Sequence, residues 1–368
     1  MKNLNFAISS IESSREYIKS LNRDDYKIFM PATSGLTKNG EMLRLGFSTY
    51  GLKLYFMLGE WGKLSELNKK EWIDYLNSFK RNYVSFPNNS FIDDTLYDYY
   101  TKFSIAITSK DLIRSTLNKF TNRNYDTKKI KFKKAVNADT KQTIATLFEV
   151  GYTNSDPFLP EFNSNIEIEK YLTSLNWKTP WTSGAQFASY CVYSKTNSNI
   201  YHETLNNFIN KIVSKETGSY YSNTPTHSRE IINGAMKVLT GLDWLDSKIH
   251  YPEKLIDYCI SNKPVMEGCD IVDYIYVLYR CTKETDYKKQ EILKIFDESI
   301  KDISVLFHEK DGGFSYFENK SQTHYYGLNI TQGNKTADIH GTLLCVWALM
   351  MILEANNKLD KKFNLIKP

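Results

Sequence analysis

Four stretches of this sequence open with polar, titratable side chains and become apolar within about one helical turn. Trp181, Ser183 and Gln186 open the first, and Glu230 and Asn233 the second. Glu267, Cys269, Asp270 and Asp273 open the third, and Asp338 and His340 the fourth. Carboxylates in a partly dry pocket shift readily toward neutrality and then trade protons, and an imidazole serves as a base or a metal ligand. Asp270, Asp273, Asp338 and His340 are therefore the expected catalytic groups, with Trp181, Gln186, Asn233, Tyr274, His324 and Tyr326 as substrate-binding side chains. Helix capping explains Ser183 and Asp338 equally well, because such side chains satisfy free backbone N–H groups. Asp273 is different. It sits a turn inside an apolar helix, where an unpaired carboxylate is costly, so it either pairs with Arg280 or Lys283 or lines a cavity.

The elements that must position these groups are helical. Apolar residues recur at helical spacing almost throughout, and no two-residue alternation is long enough for a sheet. One kind of helix is apolar on nearly all sides: 43–58, 141–152, 183–193, 230–242, 269–281 and 338–354. The other is amphipathic: 70–80, 166–175, 202–213, 252–261 and 288–307, with a blurred further pair over 95–120. A helix buried all round sits inside other helices. The alternation predicts an all-α chain, an alpha/alpha toroid of about six helical hairpins with inner and outer layers. An open rod is disfavoured because the last repeat is the most apolar and lacks a polar cap. The expected organisation is one domain over 1–368, with 1–40 as an N-terminal extension. In a ring the inner helices share one direction, so their polar N-termini gather at one mouth, where their partial positive charge favours anions.

Composition sets the bounds. Apolar residues make up 41% of the chain and charged ones 24%, which suggests neither disorder nor a membrane protein. The excess of 47 basic over 42 acidic residues is too small to imply a nucleic-acid partner. The basic run from Lys128 to Lys134 reads as a solvated interhelical loop. Cys191, Cys259, Cys269, Cys281 and Cys345 are odd in number and scattered, as expected of reduced thiols. The longest apolar run, Leu343 to Leu353, is too short to span a bilayer, and the first residues have no signal-peptide core. A cytoplasmic location, no transmembrane segment and a small-molecule or lipid-linked substrate are the expectations; oligomeric state is not legible. The 26 Tyr and 20 Phe suit cavity walls. No phosphate-binding Gly loop, HExxH, GxSxG or CxxC motif is present.

The segment DGGFSYFENKSQTHYYGLNITQGNKTADIHGTLLCVWALMMIL resembles a repeat of the terpenoid-cyclase and protein-prenyltransferase toroid superfamily. Asp311, Gly312, Gly313 and Phe314 match its turn, and Asp338 to Leu349 its inner helix. Echoes without the Gly pair lie at Glu71 to Asp94 and around Gly218 to Leu242. In physical terms the glycines allow a tight turn and close approach, and Phe314 plugs the seam between hairpins. The resemblance implies an alpha/alpha toroid and an enzyme working by acid/base or cation chemistry on a hydrophobic or lipid-linked metabolite. It also places Glu267, Cys269 and His340 where prenyltransferases bind zinc, the one cofactor it suggests. The DxDD cluster of cyclases is absent, and Asp93, Asp94 and Asp98 read as a solvated turn. Two alternatives stay open. One is a carbohydrate-active toroid, hydrolase or lyase, with His324, Tyr325 and Tyr326 as a lid. The other is a binding protein of a surface-glycan pathway without chemistry of its own.

Overall fold

The computed structural model of the chain describes residues 2–23, 25–102, 105–120, 125–153, 158, 160–162, 164–198, 200–223 and 227–368. The helices are α1 (Lys2–Ser20), α2 (Lys38–Met42), α3 (Leu45–Met57), α4 (Glu66–Asn77), α5 (Asp94–Thr101), α6 (Ile105–Phe120), α7 (Lys128–Glu149) and α8 (Asn165–Ser174). They continue as α9 (Pro180–Thr196), α10 (His202–Ile212), α11 (Ser228–Trp244), α12 (Pro252–Ser261), α13 (Gly268–Thr282), α14 (Lys289–Ser304) and α15 (Ile339–Ala355). Among the described residues sheet is confined to two-residue antiparallel pairs: β1 (Lys80–Arg81) with β2 (Ser90–Phe91), β3 (Phe307–His308) with β4 (Gly313–Phe314), and β5 (His324–Tyr325) with β6 (Leu328–Asn329).

Six helices close a ring. α3 packs on α7, α7 on α9, α9 on α11, α11 on α13, α13 on α15, and α15 back on α3. Around them, α4 lies on α3, α5 on α7, α10 on α9 with α8 against α10, α12 on α13, and α14 on α13 and α15. The chain is an alpha/alpha toroid. The division follows from sequence: α15 is buried on every side, whereas α10 and α14 bury only one stripe. Residues 2–20 form an outer helix docked on α14 and α15. The closest inner pair, α9 and α11, meets through glycines. A Cβ on Gly234 would come within 2.5 Å of Pro180, and one on Gly184 within 3.1 Å of the Gly234 carbonyl oxygen.

A small turn follows four outer helices and recurs around the ring. Backbone pairs Asn22↔Phe29, Lys80↔Phe91, Val213↔Tyr220 and Phe307↔Phe314 each carry a fully buried aromatic residue on the returning side. The last is the DGGF turn. Gly312 has φ +80°, and a Cβ on Gly313 would strike the Tyr17 ring at 2.4 Å. Asp311 accepts from Thr336 Oγ1 at 2.7 Å and from the Ala337 N–H at 2.8 Å, tying the turn to the start of α15. A threonine on the next inner helix then clasps the aromatic residue's backbone. The Phe314 N–H donates to Thr342 Oγ1 at 3.0 Å, and the Phe91 N–H donates to Thr140 Oγ1 at 3.0 Å.

Some sequence expectations change. The inner helix expected from Lys141 begins at Lys128, so the basic run is its first two turns and not a loop, because the Thr127 side chain caps it by accepting from the Ile130 N–H. Asp93 is a buried cap: its carboxylate accepts from the N–H groups of Thr95, Arg44 and Leu45, and Asp94 pairs with Arg81. The blurred stretch resolves into α5 and α6. All five cysteines carry free thiols. Among the described residues no helix is long and apolar enough to cross a membrane.

Candidate active site

The ring encloses a cavity of about 280 Å³ to which all six inner helices contribute. Its chemistry comes from Tyr50 and Lys53 of α3, Lys141 and Gln142 of α7, Gln186 of α9, Lys237 of α11, Cys269 and Asp273 of α13, and His340 of α15. Tyr326 covers the mouth and Trp347 forms part of the wall. At the other end Ile366 and Pro368 close the floor, and the Pro368 carbonyl accepts from Trp244 Nε1 at 3.0 Å. The mouth opens into a vestibule of about 490 Å³ bordered by Tyr100, Lys131, Lys134, Trp181, Gln186 and Tyr326. Gln186 also borders a larger cleft of about 660 Å³ between α7, α8 and α9, where its Oε1 accepts from Asn137 Nδ2 at 2.8 Å and from the Tyr171 hydroxyl at 3.2 Å.

Three lysines and one carboxylate face this cavity. Lys237 Nζ lies 3.9 Å from Asp273 Oδ1, while the buried Asp273 Oδ2 has no partner. Burial drives the Asp273 carboxyl up to about 6, and Lys237 pulls it back. Lys53 bonds to the Gln142 amide oxygen, and burial lowers its ammonium to about 8. Burial, reinforced by Lys53 and Lys237, pushes Lys141 well below the ordinary lysine value. The His340 ring is packed between Tyr50, 4.9 Å away and stacked, and Tyr316, 5.0 Å away. Burial, then Lys237 and Lys53, hold it neutral at about 3, and its Nδ1 is buried without a partner. The Cys269 thiol lies 3.0 Å from the Tyr316 hydroxyl and is driven up to about 11 by burial.

Of the expected residues, Asp273, His340, Gln186 and Tyr326 meet at the cavity. Trp181, Asn233 and Asp270 meet at its rim. Asp270 accepts from Arg229 Nε at 2.9 Å and Asn233 Nδ2 at 2.7 Å, and Arg229 stacks 4.8 Å from the Trp181 ring. Asp273 pairs with neither expected partner: Arg280 goes to Asp243 and Lys283 to Glu354. Asp338 does not line the cavity. Its carboxylate accepts from the N–H groups of Tyr316, Gln322 and Gly341 at 2.7, 2.9 and 2.7 Å, which makes it a cap and loop anchor. Tyr274 is buried beneath the outer layer, near Cys259 of α12 and Glu298 and Glu291 of α14. His324 is exposed, and its Nδ1 lies 2.9 Å from Thr323 Oγ1. Glu267, Cys269 and His340 form no metal set, since among the described residues no three His, Cys, Asp or Glu side chains are grouped to hold an ion. The thiol instead faces a tyrosine hydroxyl and the imidazole lies between rings.

Reading the sequence missed Lys53, Lys141, Lys237, Tyr50 and, behind them, Asp139. The Tyr325 hydroxyl donates to Asp139 Oδ1, and Oδ2 is buried and unpartnered. Burial pushes this carboxyl up to about 8, against the pull of Tyr325. A carboxyl raised on folding stabilises the fold fully below its unfolded value, near 4, and that contribution disappears as pH rises through 8. Asp139→Asn is therefore expected to flatten the decline of unfolding free energy between pH 4 and 8. The difference is on the order of a few kcal/mol, read from urea titrations at each pH; an unaltered slope would remove Asp139 as its source.

No protein-family model matches the chain, and no curated protein matches it. Among solved structures it is similar to a glycosyl hydrolase family 88 protein from Bacteroides vulgatus, at 12% identity and a TM-score of 0.43, over 96% of this chain and 99% of that one. The packing of the six inner helices, and not this likeness, establishes the ring.

Proposed function

We propose that this chain is a carbohydrate-active enzyme that binds an acidic sugar in the central cavity and moves protons on it through Asp273. The observation that carries the reading is the lining: three lysines and one half-partnered carboxylate among aromatic rings. The lysines favour a ligand bearing a carboxylate or similar anion. Tyr50, Tyr326 and Trp347 offer faces for the C–H side of a sugar ring, and Gln142, Gln186 and Ser189 offer hydrogen bonds to hydroxyls. Most glycoside hydrolysis uses two carboxylates across the scissile bond. Here Asp273 is the one carboxylate side chain that lines the cavity among the described residues, which favours β-elimination at a uronate. In that reaction the lysines offset the charge of the sugar's carboxylate and so ease loss of the neighbouring C–H proton.

The terpenoid-cyclase or prenyltransferase reading has less support. The desolvated Lys141 amine is a nucleophile that would trap a carbocation, and the expected zinc ligands are not grouped among the described residues. The test is incubation of the purified protein with a panel of uronate-containing oligosaccharides. Ultraviolet absorbance from a new double bond conjugated to the carboxylate is expected with at least one acidic glycan, and with no neutral one. Silence across every acidic member sinks the proposal.

A further inference from the structure

We propose that Lys141 is a carbonyl-capturing amine, forming an imine with a small aldehydo or keto acid held in the central cavity. The inference deepens the proposed function by naming a substrate class, and it rests on that cavity being the ligand site.

The geometry carries it. Lys53, Lys141 and Lys237 converge on one enclosed space from three helices. Lys53 has Gln142 and a distant Glu149, and Lys237 has Asp273. Lys141 is buried and has no polar partner for its side chain among the described residues. The other titratable side chains around the cavity are Tyr50, Cys269, His340 and Tyr326, with Cys191 behind Lys141; each is neutral near pH 7, so Asp273 is the one acidic side chain in the lining among the described residues. Three ammonium groups gathered in a buried space are costly, and the unpartnered one gives up its proton most readily. A desolvated amine beside other cations is an activated nucleophile. Its lone pair attacks the carbonyl carbon, and the C=O π pair moves to oxygen. Both amine hydrogens then leave with that oxygen as water, so one amine and one carbonyl give one imine and one water. The acid group of the ligand would lie against Lys53 and Lys237.

The test treats the full-length protein with glyoxylate, a small anionic aldehyde, and cyanoborohydride at neutral pH, followed by peptide mapping. Carboxymethylation is expected first at Lys141, at least about tenfold faster than at the exposed Lys131, since each unit of depressed pKa raises the free-amine fraction about tenfold. Acetate, which has the charge and no aldehyde group, is expected to slow labelling at Lys141 alone. Preferential labelling of Lys53 or Lys237, or equal labelling of surface lysines, overturns the assignment. Mapping uses the unaltered protein, so a misfolded variant cannot obscure it. Labelled Lys141 without turnover of any acidic glycan would leave this inference standing and the proposed function fallen. Undiminished turnover by a folded Lys141→Met protein would mean that the amine takes no part in that reaction.

Discussion

Asp273→Asn is expected to lower turnover of an acidic glycan by about 10²–10⁴-fold, the usual range for removing a general acid or base, while the ring stays folded. Two features set the size of the effect. The side chain is buried in the cavity wall with one oxygen unpartnered, so the amide fits the same space without breaking a bond at that oxygen. Its proton is held at about 6 by burial, within reach of physiological pH. The unaltered enzyme should therefore show a limb in its kcat/KM profile near that pH, and the residual activity of Asp273→Asn should lack it. A variant that keeps both full rate and the limb would transfer the proton chemistry to another group. Stability should rise slightly above pH 6, because the amide cannot acquire the charge that burial penalises.

Asp338→Ala is expected to destabilise the fold on the order of 5 kcal/mol, since three backbone N–H groups lose their acceptor and each unmet buried donor costs about 1–3 kcal/mol. The damage should centre on the loop carrying Tyr316 and Gln322 and on the first turn of α15. Urea unfolding and hydrogen exchange of the Tyr316, Gln322 and Gly341 amides measure it directly. An Ala variant of native stability without activity would return Asp338 to the catalytic role that its position in the sequence suggested.

The contrast between these two aspartates shows what was legible in the chain. Helical periodicity and the polar openings of apolar helices were enough to place Trp181, Asn233, Asp270, Asp273 and His340 around one mouth. Asp273 was separable from its neighbours because a carboxylate a full turn inside an apolar helix has few acceptable environments. The same argument applied to Lys53, the lone charge of α3, and to Lys237, a charge in the apolar middle of α11. Lysine is easily passed over there because its long stem usually carries the charge back to water. Lys141 and Asp139 were hidden by a helix start placed thirteen residues too late, at 141 and not 128, so that a mid-helix charge looked like a terminal one. Tyr325 reaches Asp139 across 186 positions, and no local pattern signals such a partnership.

The clasped aromatic turns bear on how such a chain diversifies. If Phe91 with Thr140 and Phe314 with Thr342 descend from one duplicated segment, the shared joint leaves the intervening connection free to vary in length. Between Phe314 and α15 that connection extends far enough to bring Tyr326 over the opening. New specificities would then arise by lengthening or trimming such inserts, with the barrel itself inherited intact.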